Sequence, residues 1–119
     1  MFVNKDYKKS LKIISYFRAN PNKNPVEAII PGIFTLFQRI FIANSLSSKT
    51  DQSLNMAFGN LSYPVLTELR TGMAAYNLQK AVKGIDLLRE YDAKTKGIGS
   101  YQNKYDLLQE LVFKIVTLW

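Results

Sequence analysis

Between Pro25 and Leu46 the chain sets Ile29, Ile30, Ile33, Phe34, Leu36, Phe37, Ile40 and Phe41 around an unusually wide arc of one helix. A surface helix needs an apolar stripe on one side only, so a helix this apolar belongs between several neighbours. Its most hydrophobic run, Ala28 to Phe37, is ten residues long before Gln38 and Arg39 interrupt it. A membrane span needs about 20, so the pattern predicts the central helix of a bundle. Asn24 is the expected cap, with Pro25 at the first helical position and Glu27 in the first turn. Pro31 is an expected kink site.

The rest of the sequence supplies the neighbours that such a helix requires. From about Asn4 to Ala19, Tyr7, Ser10, Leu11, Ile14 and Phe17 fall on one side of a helical wheel. The prolines of Asn20-Pro21-Asn22-Lys23-Asn24-Pro25 force a turn after it, because each disfavours helix in the residue before it. After a polar connector from Ser45 to Thr50, Asp51 is the expected cap of a short helix through Phe58, stopped at Gly59-Asn60. Ser62 opens a fourth helix with Val65, Leu66, Leu69 and Met73 inward. Asn77 caps a fifth, whose expected buried stripe is Leu78, Ala81, Val82, Ile85, Leu88 and Tyr91. Gly97-Ile98-Gly99 ends it as a glycine stop. A last helix from about Asn103 packs through Leu107, Leu108, Leu111, Val112, Ile115 and Leu118. No strand alternation, internal repeat or flexible linker interrupts this series. The expected fold is all-α: a single domain over residues 1–119, a compact bundle of five main helices plus one short one.

Reactive groups are scarce. The chain has no cysteine and no histidine, which removes thiolate chemistry, the usual neutral-pH base and the commonest metal ligand together. Neither phosphate-cradling glycine pattern occurs. Among carboxylates, Asp86 with Glu90 has helical i, i+4 spacing, but Lys83 and Arg89 close by make a solvated charged face of it; Asp106 with Glu110 is another such pair, in which Asp106 serves the first turn of its helix. The reading is of no catalytic, cofactor-binding or metal-binding residue, and no small-molecule ligand. The first twenty residues carry lysines throughout and no apolar h-region, so no secretory signal is expected. That and the missing cysteines fit the cytoplasm.

Charge is the second signal. The net charge is +7, and residues 1–23 concentrate it: Lys5, Lys8, Lys9, Lys12, Arg18 and Lys23 against one acid, Asp6. Lys5, Lys8, Lys9 and Lys12 recur at spacings of three and four, opposite the apolar side of the first helix. Such a stripe is either a solvated face or a site for an acidic partner, with nucleic acid foremost. Tyr16, beside the lysines, and Tyr101, in the polar loop before the last helix, are candidate base-stacking residues. A tyrosine at a helix end that packs its ring and wets its hydroxyl is the alternative. Trp119 at the C-terminus is a candidate interface residue, or equally a cap on the core.

Several ordered segments also carry a family resemblance. They are Asn24-Pro25-Val26-Glu27-Ala28-Ile29-Ile30 leading into Phe34–Ala43; Leu66 to Asn77, ending Ala75-Tyr76-Asn77; and Leu87-Leu88-Arg89-Glu90-Tyr91-Asp92 through Lys96-Gly97, followed by Leu107 to Ile115. Over about Lys8 to Thr117 the chain resembles the C-terminal, or collar, domain of the delta subunit of bacterial DNA polymerase III, in its Bacteroidetes-type versions. Delta belongs to the replication clamp loader. The chain departs from that family in the spacing of Gly59 and Pro64, which are farther apart than in the usual Gly-hydrophobic-x-Pro signature.

The resemblance implies a non-catalytic collar that joins those of delta-prime and the ATPase subunits in a ring of five, supporting the loading of the sliding clamp onto DNA. It implies that the family's N-terminal AAA+-like domains are absent from this chain. It also implies that Tyr101 takes the place of an aromatic that in some members meets the primer–template junction; the charge stripe, independently, makes Lys5, Lys8, Lys9 and Lys12 candidate DNA contacts. The rival readings are a free-standing basic helical protein that binds nucleic acid through its first helix, and an enzyme with an unrecognised lysine–carboxylate site.

Overall fold

A computed structural model of the chain describes residues 7–23, 25–97 and 103–118. They form six helices: α1 (Tyr7–Ala19), α2 (Val26–Ser45), α3 (Asp51–Phe58), α4 (Tyr63–Ala75), α5 (Leu78–Thr95) and α6 (Lys104–Val116). No strand occurs among the described residues. The fold is an all-α bundle of five main helices and the eight-residue α3.

The wide apolar arc puts α2 at the centre. Val26, Ile30, Ile33, Phe37, Ile40 and Ala43 are buried on it, and it packs against α3, α4, α5 and α6. Its 20 residues have the length and composition of a membrane span, yet this face is covered by neighbouring helices as in a core helix. The helix continues through Pro31, where the Thr35 hydroxyl donates to the Pro31 carbonyl at 3.1 Å. It begins at Val26, one residue later than the sequence suggests, with Pro25 in the capping position and no side-chain cap bond. Asn24, the expected cap, lies outside the described residues.

Local capping chemistry sets most of the other boundaries. The Asn77 side chain accepts from the Lys80 N–H at 2.9 Å, and Asn103 from the Tyr105 N–H at 2.8 Å. Gly59 and Gly97 close α3 and α5 at φ of 82° and 85°, a left-handed backbone that glycine adopts without a Cβ clash. One boundary needs correcting. Thr50, not Asp51, caps α3 by accepting from the Ser53 N–H at 3.2 Å. Asp51 is instead held by Arg70 of α4, whose Nε donates to it at 3.0 Å.

The α2–α5 contact is the tightest in the bundle. Gly84 faces the ring of Phe37 so closely that a Cβ there would lie 2.4 Å from Cε1. The same ring meets Tyr76, centroid to centroid 4.9 Å and tilted by 58°. Tyr76 forms the two-residue α4–α5 connector with Asn77, and its carbonyl accepts from Asn44 of α2 at 2.8 Å. Gly84 therefore takes a place in the buried stripe of α5 beside Ala81, Leu88, Tyr91 and Thr95. Leu78 and Val82, expected in that stripe, are each 41% exposed. The glycine rotates the buried arc away from them.

α1 packs on α6. Ser10 and Ile14 are buried there, Tyr7 meets Phe113 edge-on at 5.3 Å, and Arg18 pairs with Asp106 at 2.8 Å. The bundle measures 43 × 25 × 24 Å.

Candidate functional site

Two surfaces remain once the bundle has closed. The first is a groove between α2 and α5. Phe41 (36% exposed) and Ile42 (43%) come from α2, while Leu78 and Val82 come from α5. With Ile85, three of these side chains floor an open groove of about 490 Å³, bordered by Gln38, Asp86 and Arg89. Arg89 also borders a smaller hollow, of about 200 Å³, beside Pro31 and Phe34. Its guanidinium lies 5.9 Å from the centroid of the Phe34 ring. The two depressions share Arg89 and so follow the same helix pair, with an apolar floor and mixed charge at the edge. That chemistry suits an amphipathic helix laid in a groove.

Sequence periodicity does not single out this groove. Leu78, Val82 and Phe41 read there as core, and Ile42 falls outside the predicted arc. Hydropathy reports apolar character, and only tertiary packing shows which apolar residues are left uncovered. Met56 and Tyr63 are more exposed, at 80% and 81%; the hollow beside Met56 is lined by Leu46, Ser47, Ser48, Ser53 and Ala57 and lies on α3 and the connector before it, away from the α2–α5 groove.

The second surface is the outer side of α1. Lys8, Lys9 and Lys12 are exposed, as their spacing predicts, and Tyr16 on the same side is 58% exposed. The described span of α1 contains no acidic residue. Lys5, Tyr101 and Trp119, the remaining sequence-derived candidates, lie outside the described residues.

Six carboxylates among the described residues are each engaged by a cation. Glu90 meets Lys94 at 3.3 Å, Asp92 meets Lys96 at 2.9 Å, and Glu110 meets Lys114 at 3.7 Å. Asp106 is held by Arg18, and Glu27 joins Lys104 across the α2–α6 boundary. The Lys104 hydrogen bond, followed by a backbone N–H, lowers the Glu27 carboxyl below its ordinary range. Burial raises the Tyr76 and Tyr91 phenols. Tyr91 lies between two ammonium groups, with Lys94 Nζ 4.6 Å and Lys114 Nζ 5.0 Å from its ring centroid. Its hydroxyl is sealed from solvent and meets no partner in full hydrogen-bond geometry among the described residues, but the Lys114 ammonium and the Glu110 carboxylate lie close enough to act on it. No group of three or more Asp and Glu side chains converges among the described residues.

No family model, no curated protein and no solved structure matches the chain.

Proposed function

We propose that this chain is a non-catalytic assembly domain that receives a partner helix in the α2–α5 groove. The resemblance of its ordered segments supplies the setting: the collar of a bacterial clamp loader, in the cytoplasm, where the chain takes the delta position beside delta-prime and the ATPase subunits. The observation that carries the docking reading is the exposure of Phe41, Ile42, Leu78 and Val82 on one adjoining helix pair. Apolar side chains scattered singly over a surface need no explanation, whereas a contiguous set rimmed by polar residues marks an interaction site. The partner on this reading is a helix of a neighbouring collar domain, which supplies apolar anchors to the groove floor and polar groups to Arg89 and Asp86.

The test is size-exclusion chromatography with light scattering, mixing this chain with purified delta-prime and ATPase subunit from the same organism. The expected result is a stable co-eluting complex that the paired substitution Ile42→Glu and Val82→Glu abolishes while the isolated domain keeps its helicity and melting temperature. Both positions are exposed, so the added charges cost the free fold little. A wild-type chain that stays monomeric beside partners that assemble normally without it overturns the collar reading. A complex that survives the double substitution overturns the assignment of the groove.

A further inference from the structure

We infer that the outer face of α1 binds single-stranded nucleic acid, with Lys8 and Lys12 on successive phosphates and Tyr16 stacking on a base. This site and partner are separate from the assembly groove and do not depend on it. Lys8, Lys12 and Tyr16 are each four residues apart, so they share one side of the helix and step along it by roughly 6 Å each time. The phosphates of an extended single strand recur on that scale. Tyr16 therefore occupies the place of a third cation in the series. An aromatic ring there offers nothing to a phosphate and a flat face to an unstacked base.

The surroundings favour this partner over other polyanions. A membrane-surface helix sinks its apolar side into the lipid, but the apolar side of α1 is already committed to α6 through Ser10, Ile14 and the Tyr7–Phe113 contact. A duplex presents phosphates, but its base faces are stacked and closed to Tyr16. The basic side of α1 has no acidic residue within the helix to neutralise it, and Asp106 of α6 is occupied by Arg18. Tyr16 presents an exposed ring near the end of the helix. Its ring meets Phe17 at 6.3 Å, and its carbonyl accepts from the Asn20 side chain at 2.9 Å at the helix end.

The experiment is fluorescence anisotropy of the whole chain with a labelled 15-nucleotide oligothymidine, and with a duplex of equal length, over a salt series. Binding to the single strand should weaken with salt, and Lys8→Glu with Lys12→Glu should flatten the slope of log affinity against log salt by about 1.4, or about 0.7 for each phosphate no longer neutralised. Tyr16→Ala should weaken single-strand binding about 5- to 150-fold, and Tyr16→Phe should retain it. Duplex binding should be insensitive to Tyr16. Absence of single-strand binding at low salt overturns the proposal. So does binding that Tyr16→Ala leaves unchanged, since the face is then a generic cationic surface. Circular dichroism melts of each variant keep a loss of fold from passing as a loss of binding.

Discussion

Gly84 offers the sharpest test of how α2 and α5 meet. Replacing it with alanine should stabilise an isolated helix by about 1 kcal/mol, because glycine is the costlier residue in a helix interior. In the bundle the sign reverses. The new Cβ would lie 2.4 Å from Phe37 Cε1 and 2.6 Å from Cδ1, whereas carbon atoms in contact sit about 3.5–4.0 Å apart. The ring has little room to retreat, since Phe37 is 0% exposed and packs against the equally buried Tyr76. Overpacking of this kind costs about 1–3 kcal/mol or more. Set against the propensity gain, the net loss is up to about 2 kcal/mol. For 119 residues at about 2.1 cal/mol/K each, that lowers the melting temperature by up to about 8 °C.

The assay is thermal unfolding followed by circular dichroism, with Gly32→Ala as the control. Gly32 also lies in a helix, but its added Cβ meets nothing within 4 Å, so propensity acts alone and the melting temperature rises by up to about 4 °C. Combining Gly84→Ala with Phe37→Leu removes part of the opposing ring. The pair should then be less destabilising than the sum of the singles, with a coupling of about 0.5–3 kcal/mol. A Gly84→Ala variant that melts at or above the wild type refutes the close approach. The geometry of the groove built by the same two helices would fall with it.

Two further predictions concern side chains whose surroundings are unusual. Glu27→Gln should cost no more than about 1 kcal/mol at pH 7, because the pair with Lys104 is half exposed and solvent screens it. Since the fold lowers the carboxyl pKa, its contribution is complete above the ordinary value of 4.5 and disappears as pH falls through the folded value; melting curves of both proteins should converge as pH falls below that folded value, and a gap independent of pH refutes the linkage. Tyr91→Phe removes a buried hydroxyl that makes no hydrogen bond of full geometry among the described residues and lies beside Lys114 and Glu110, while keeping the ring near Lys94 and Lys114. Stability should stay level or rise by up to about 1 kcal/mol in urea unfolding, and a loss larger than that shows that the hydroxyl is bonded in solution.

The helices are legible in the sequence because their signals are local. Asn77, Asn103, Gly59 and Gly97 act within a turn of their own position, and the 3.6-residue period needs only a dozen neighbours to show itself. The errors fall where a residue's fate depends on a distant one. Thr50 and Asp51 are adjacent and both suit a cap; Arg70, nineteen residues on, draws Asp51 away. A wheel centred on apolar character places Leu78 and Val82 in the core. Gly84 adds nothing to that signal, yet its small size lets α5 roll Gly84 toward Phe37 and leave the two larger residues outside. The α2–α5 groove is the direct result of that rotation. The α1 surface is legible for the opposite reason, since lysines at spacings of three and four opposite an apolar stripe already specify an exposed basic face.

The segments that carry the family resemblance do mostly structural work in this fold. Val26 and Ile30 seat the start of α2, Tyr76 packs on Phe37, Asn77 caps α5, Gly97 ends it, and Leu107 to Ile115 fill the centre of the bundle. Such residues can keep a fold recognisable while its surfaces change. Partner choice depends instead on the uncovered residues: Ile42, Leu78 and Val82 on one face, Lys8, Lys12 and Tyr16 on another. Only Ile42 of these lies within a landmark segment. Perturbing Gly84 tests the architecture, whereas Ile42→Glu with Val82→Glu and Tyr16→Ala test function on a bundle left intact. If those surface variants keep the wild-type melting temperature and lose their respective partners, docking and nucleic-acid binding belong to separate faces, and each can be removed without the other.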